Sequence, residues 1–136
     1  MPSPLWSVAD ELREVVRSGG ESPIKTRLRM AIQKMSVPVV VTDDQARFVL
    51  VNDAALELTG YSERELLRLS VPDITAASDE PHTDALWNAF QSHGQQHGRY
   101  DIRTKDGASV TVEYVAIANI ASGMHLSVMT PAVYPP

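Results

Sequence analysis

Val37-Pro38-Val39-Val40-Val41-Thr42-Asp43-Asp44-Gln45-Ala46-Arg47-Phe48-Val49-Leu50-Val51 is where the chain changes its repeat. Val37 to Thr42 is short and β-branched, which suits a pleated strand and not a helix. Pro38 stops any helical pattern arriving from upstream, because it lacks an amide hydrogen and crowds the preceding turn. Asp43-Asp44-Gln45-Ala46 reads as a turn. Phe48 to Val51 is then a second short strand, and the two make a hairpin.

Upstream the period is helical. Ser3-Pro4 has the form of a helix start, with serine as the cap and proline in the first turn. Leu5, Val8, Ala9, Leu12, Val15 and Val16 follow at spacings of three and four, one apolar stripe opposite Asp10, Glu11, Arg13, Glu14 and Arg17. Ser18-Gly19-Gly20 ends that helix. Ser22-Pro23 starts another, with Ile24, Leu28, Ala31, Ile32 and Met35 on one side and Lys25, Arg27, Arg29 and Lys34 flanking them.

Downstream, Ala54, Ala55 and Leu58 suggest a short helix broken at Gly60. Ser62-Glu63-Arg64-Glu65 is a capping box: the serine oxygen accepts from an unpaired amide while Glu65 reaches back to the cap. Leu66, Leu67 and Leu69 continue that helix to Pro72, and residues 73–81 are polar and irregular. Pro81-His82 opens a longer helix in which Leu86, Ala89 and Phe90 face inward with Trp87 beside them; Gly94 and Gly98 end it. From Arg99 the alternation is two-residue. Tyr100 and Ile102 alternate with polar neighbours, Lys105-Asp106-Gly107 turns, and Val110, Val112, Tyr114 and Ala116 alternate again. Asn119 to Gly123 reads as a turn, and Met124, Leu126 and Val128 form the last strand. Strands and helices are grouped and not alternating, so the fold class expected is α+β with an antiparallel sheet. The division expected is a helical extension over 1–36, a core over 37–130 and a tail over 131–136.

Composition narrows the function. With 136 residues the chain makes one domain, and 43% apolar residues suffice for a core. There is no cysteine, which removes disulfides, thiol nucleophiles and cysteine-ligated zinc, and fits a reducing, cytoplasmic setting. The net charge is −5 without any block of Lys or Arg, so nucleic acid is not an expected partner. The longest apolar run falls far short of the roughly 20 residues that span a bilayer, so no membrane partner is expected.

From about Arg29 to Met129 the sequence resembles the PAS family. The segment Val51-Asn52-Asp53-Ala54-Ala55-Leu56-Glu57-Leu58-Thr59-Gly60-Tyr61-Ser62-Glu63-Arg64-Glu65-Leu66 is similar to that family's strand ending in Asn, short helix, Thr-Gly-Tyr-Ser and Glu-Leu pair. Val39 to Asp43 resembles its first strand, and Arg103 to Val110 its later hairpin. The resemblance implies a five-stranded antiparallel sheet with short helices on one face enclosing a small pocket. It implies a sensory, dimerising module and not an enzyme. The family usually has glycine where this chain has Ala46, so a different turn is expected there. It also usually continues past the last strand into a helix that drives an effector; here a proline-rich tail follows, which suggests either a module acting on a signalling protein in trans or a fragment.

Each candidate residue has a plainer reading beside its functional one. Asn52 and Asp43 are expected to bond nearby backbone. Ser62 and Glu65 are a helix cap and not a catalytic pair. His93 and His97 have metal-ligand spacing, but Gly94 and Gly98 interrupt the helix, so solvated histidines are the expectation and no metal is assigned. The resemblance would draw a haem ligand from the longer helix, where only His82 and His93 stand; flavin would bind only non-covalently, without a cysteinyl adduct. The cofactor stays unassigned. An enzyme with an Asp–His pair would need His82 and Asp84, which at i,i+2 do not face one another.

Leu86, Phe90, Tyr100, Ile102, Val112, Tyr114, Leu126 and Val128 are the candidates for lining a ligand pocket, with filling of the core as the alternative. Tyr100 and Tyr114 carry hydroxyls that could meet a ligand. The N-terminal stripes must be buried against something. Leu5, Val8, Leu12, Val15, Leu28 and Ile32 are expected to face a second copy in a homodimer; the alternative is that both helices fold back on their own domain. A pure protein-interaction domain with a filled core is the remaining functional reading.

Overall fold

In the computed structural model, residues 4–76 and 83–132 are described. Helices α1 (Pro4–Arg17) and α2 (Ile24–Gln33) come first. The hairpin strands β1 (Val39–Thr42) and β2 (Phe48–Val51) follow, then α3 (Asp53–Thr59), α4 (Glu63–Leu66) and a 3-10 turn at Val71–Ile74. Helix α5 (Thr83–His93) leads into β3 (Gln95–Arg103), β4 (Ser109–Ala121) and β5 (Met124–Pro131). All pairings are antiparallel, and the five strands lie in the order β2-β1-β5-β4-β3. The hairpins β1–β2 and β3–β4–β5 therefore join through β1 and β5, where Val41 pairs with Leu126 and Thr42 with His125.

Both faces of the sheet are covered, and strand alternation sorts the residues between them. Val39 and Val41 of β1, Val115 and Ile117 of β4, and Leu126 and Val128 of β5 pack under α1 and α2. On the other side, Val40, Phe48 and Val51 pack with Ala55 of α3, Leu66 of α4 and Ile74.

The N-terminal helices fold back on their own sheet, which corrects the expected use of their stripes. Leu12, Leu28 and Ile32 are fully buried within the single chain and Leu5 is 5% exposed, so these four are not a surface for a second copy. Val8 packs at the edge of the same cluster, and Val15 is half-buried. The physical reason is local. A helix of 14 residues is marginal alone in water. The sheet face beneath it is apolar and otherwise bare, and each side chain buried there contributes roughly 1.5–3 kcal/mol.

Asn52 joins these pieces. It is fully buried and uses its whole hydrogen-bonding capacity on backbone. Oδ1 accepts from Val39 N at 3.0 Å and from Ala55 N at 3.0 Å, capping α3. Nδ2 donates to the carbonyls of Ile32 and Val37, each at 2.9 Å. One side chain thus ties the end of α2, the link into β1, and the start of α3. The capping box of Ser62 and Glu65 forms as its spacing implies.

Ala46 stands where the resemblance implies glycine, and it takes the left-handed conformation that glycine favours, with φ 62°. Asp43 holds that turn by accepting from the amides of Gln45 and Arg47. Burial pushes its carboxyl up, but those amides and the Arg47 guanidinium outweigh it and leave the group below its ordinary range.

Several boundaries differ from the sequence reading: α4 ends at Leu66 and does not run on through Leu69, and β1 begins at Val39 and not at Val37. Gly94, with φ 83°, ends α5 in a single residue, so β3 begins at Gln95 and not near Arg99. Asn119, with φ 53°, lies where the β4–β5 register shifts, and the ladder resumes at Ala121 opposite Met124. The irregularity near Asn119 is thus a bulge within β4, and the chain reverses at Ser122-Gly123. The last strand reaches Pro131, which lies opposite Val112; the rest of the expected tail, from 133 on, lies outside the described residues.

Candidate functional site

Between the second face of the sheet and the helices α3–α5 lies a cavity of about 460 Å³. Strands β3, β4 and β5 form its floor. Leu86, Trp87 and Phe90 of α5 close it from above, and Val71, Pro72 and Ile74 of the 3-10 turn close one side.

Of the residues singled out from sequence, Leu86, Phe90, Tyr100, Ile102, Val112, Tyr114 and Leu126 border this space. Leu126 does so only at its margin, since its side chain belongs to the cluster under α1 and α2. Val128 is a correction. It is fully buried in that same cluster, on the opposite face of the sheet. In β5 the residues turned toward the cavity are His125, Ser127 and Met129.

The two tyrosines brace the wall. Thr75 donates its hydroxyl hydrogen to the Val71 carbonyl at 2.8 Å, so across the 2.7 Å contact the Tyr100 hydroxyl donates to Thr75 Oγ1. The Tyr114 hydroxyl donates to Gln96 Oε1 at 2.9 Å, and Gln96 Nε2 donates to the Leu86 carbonyl at 3.2 Å, fastening β3 to α5. The rings meet edge to face, 6.3 Å between centroids.

His125 is the residue sequence reasoning missed. It is 2% exposed. Nδ1 accepts from the Asn119 amide at 2.9 Å, which places the ring hydrogen on Nε2, and Nε2 donates to Asp44 Oδ1 at 2.8 Å. Trp87 and Phe90 set their rings against it at 5.6 and 5.9 Å. The imidazole is therefore a wall element with both nitrogens engaged. It offers no free lone pair to an iron, and among the described residues no other histidine borders the cavity.

The other histidines stand apart. His93 is exposed and donates from Nδ1 to the Ala89 carbonyl at 2.8 Å. His97 lies in β3, exposed, with Trp6 edge-on at 6.1 Å. Among the described residues no group of three metal-ligating side chains comes together. His82, proposed beside Asp84, lies outside the described residues, while Asp84 borders the cavity at the exposed start of α5. Two hydroxyls complete the lining. Thr42 and Ser127 face the cavity from neighbouring strands, and neither side chain makes a hydrogen bond among the described residues.

Comparison with known proteins bears on what such an arrangement does. A family model described as PAS domain matches residues 36–129. No curated protein matches the chain. Among solved structures, the PAS domain of a protein from Colwellia psychrerythraea superposes with a TM-score of 0.68 at 21% identity, covering 81% of this chain and 98% of that one. The PAS domain of a LuxR-family transcriptional regulator from Burkholderia thailandensis, solved in complex with ethanol, gives 0.63 at 13% identity over 75% and 94% of the two chains. The LOV protein of Rhodobacter sphaeroides gives 0.63 at 13% identity over 93% and 67%.

Proposed function

The chain belongs to the PAS domain family, and from that premise we propose that it is a sensory module that binds a small ligand in the cavity under α5 and relays occupancy to a partner. The observation that carries this reading is the cavity itself: about 460 Å³ of space walled by α5, the 3-10 turn and the sheet, where a filled core would leave none. The Burkholderia thailandensis relative was solved with ethanol, which supports a small molecule as the class of occupant.

The module is read as a binder and not a catalyst. What supports this is that the one histidine among the described residues that borders the cavity, His125, has both nitrogens engaged, by Asn119 and Asp44, and is not free to take a proton from a substrate. Pairing with a second copy belongs to the same reading, through the outer side of α1 and α2, where Met30 is 61% exposed. So does a signalling partner in trans. No helix among the described residues is long and apolar enough to cross a membrane; we place the module in the cytoplasm.

The test is native mass spectrometry of the purified chain beside an Ala116→Trp variant. Ala116 borders the cavity, and an indole there projects into it and takes up part of the space a ligand would need. A retained small molecule in the parent, lost in the variant with the fold intact by circular dichroism, is the expected result. Equal binding by both proteins would refute the cavity as the site.

A further inference from the structure

Resting on that reading of the cavity, we infer that its ligand is an uncharged, ring-bearing molecule with one hydrogen-bonding group, a hydroxyl or carbonyl, received by Thr42 and Ser127. Three independent features of the lining lead there.

The first is charge. Among the described residues no Lys or Arg borders the cavity. A buried anion there would lack a counter-charge, and an uncompensated buried charge is strongly disfavoured. Among the described residues two carboxylates are near. Asp44 already accepts from His125, and Asp84 sits in water at the mouth, where a cation keeps its hydration and gains little. Among the described residues neither sign of charge finds an interior partner.

The second is ring content. The chain has two Trp, four Tyr and two Phe, and Phe48, Trp87, Phe90, Tyr100 and Tyr114 all border this one space. They supply both edges and faces. Trp87 and Phe90 are tilted by 57° and the two tyrosines stand at 81°, so a flat ring entering between α5 and the sheet meets offset and edge-on partners.

The third is polarity. Thr42 pairs with His125, and Val40 with Ser127. Thr42 and Ser127 are therefore diagonal neighbours on the cavity face, roughly 7 Å apart. Thr42 is 5% exposed, and neither hydroxyl has a hydrogen-bond partner among the described residues. Hydroxyls donate and accept, so the pair meets an alcohol or a carbonyl equally.

The experiment uses one ring system in four forms at pH 7: 2-naphthol, naphthalene, 2-naphthoate and 2-naphthylmethylammonium, titrated by calorimetry. The inference expects 2-naphthol to bind at least 10-fold tighter than either ion. It also expects the double variant Thr42→Val, Ser127→Ala to weaken 2-naphthol by roughly 5- to 10-fold while leaving naphthalene unchanged. Binding of the carboxylate or the ammonium as tight as that of the alcohol would overturn the ligand class and leave the cavity standing as a site. An unchanged affinity for 2-naphthol in the double variant would overturn the role of the two hydroxyls. If none of the four binds the parent, the cavity reading falls and this one with it. Near-ultraviolet circular dichroism of the double variant separates lost binding from lost fold.

Discussion

His125 and Asp44 meet at 2.8 Å across 81 residues of chain, the one on β5 and the other in the β1–β2 turn. This contact pins the turn over the rim of the cavity and holds the imidazole edge toward Trp87 and Phe90. Its two ends differ in burial: the His125 side chain is 2% exposed and that of Asp44 58%. Stability should follow that difference. His125→Ala empties a buried ring site and orphans the Asn119 amide, so a loss of about 2–4 kcal/mol is expected. Asp44→Ala removes a mostly solvated partner, for less than about 1 kcal/mol, and Asp44→Asn keeps an acceptor oxygen and should be nearly silent. Urea unfolding of the three variants checks the ranking; equal losses for His125→Ala and Asp44→Ala would refute it.

Asn52 invites a sharper comparison because all four of its polar valences are taken. Asn52→Ala removes four hydrogen bonds in a fully buried place and leaves the Val39 amide and the Val37 carbonyl without the side-chain partner, while the Ala55 amide keeps the residue-52 carbonyl and the Ile32 carbonyl keeps the Met35 amide. The expected loss is about 3–5 kcal/mol. Asn52→Asp is nearly the same shape yet should be no better. Its second oxygen would face the carbonyls of Ile32 and Val37, acceptor against acceptor. Denaturant midpoints decide this: recovery of most of the stability by Asp would show that shape, and not the two donated hydrogens, is what the site requires.

Much of this architecture is legible in the residues themselves. The change of period near Val37, the Ser62–Glu65 cap and the capping of α3 by Asn52 rest on interactions within a few positions of one another, whereas the bonds of Asn52 to Ile32, Val37 and Val39 span 20, 15 and 13 positions. The face assignment of β5 does not. Met124, Leu126 and Val128 alternate with His125, Ser127 and Met129, and both series hold apolar members because both faces of this sheet are covered. Alternation then separates two faces without saying which one meets the cavity. That is why Val128 reads as a pocket residue from sequence and His125 goes unnoticed. The stripes on α1 and α2 pose the same problem. An apolar stripe requires burial, but its partner, a neighbouring copy or the chain's own sheet, is a matter of tertiary packing.

Helix α2 carries Lys25 in its first turn with no acidic residue there and no side-chain cap. A cation at that end opposes the helix macrodipole, and Lys25 stands four positions before Arg29, a like-charge spacing. Both are exposed. Lys25→Glu reverses both effects, giving the N-terminus an anion and Arg29 an opposite charge at the favourable orientation. A gain of about 0.3–1 kcal/mol is expected, shrinking in high salt. Thermal unfolding at low and high ionic strength tests it. A destabilised variant would mean that Lys25 makes a contact the charge argument omits.

Glu65 binds two parts of the fold at once. Its carboxylate accepts from the Ser62 amide at 2.9 Å as part of the cap and pairs with Lys105 Nζ at 2.7 Å, linking α4 to the β3–β4 turn. The Lys105 ammonium first, and the Ser62 amide after it, hold the carboxyl down from 4.5 to about 2. A depressed carboxyl stabilises the fold fully above its unfolded value and loses that contribution as the folded group is protonated. The window is therefore from about pH 4.5 down to about 2. In acid titrations of stability, Glu65→Gln should flatten the slope across that window and match the parent below it. Lys105→Ala should move the Glu65 titration, followed by side-chain carboxyl NMR, back toward 4.5. Because both side chains are largely in water, with 53% and 40% exposure for Lys105 and Glu65, added salt should erode the Lys105 contribution and spare the bond to the Ser62 amide. A Glu65 titration that ignores Lys105→Ala would assign the whole effect to the helix cap.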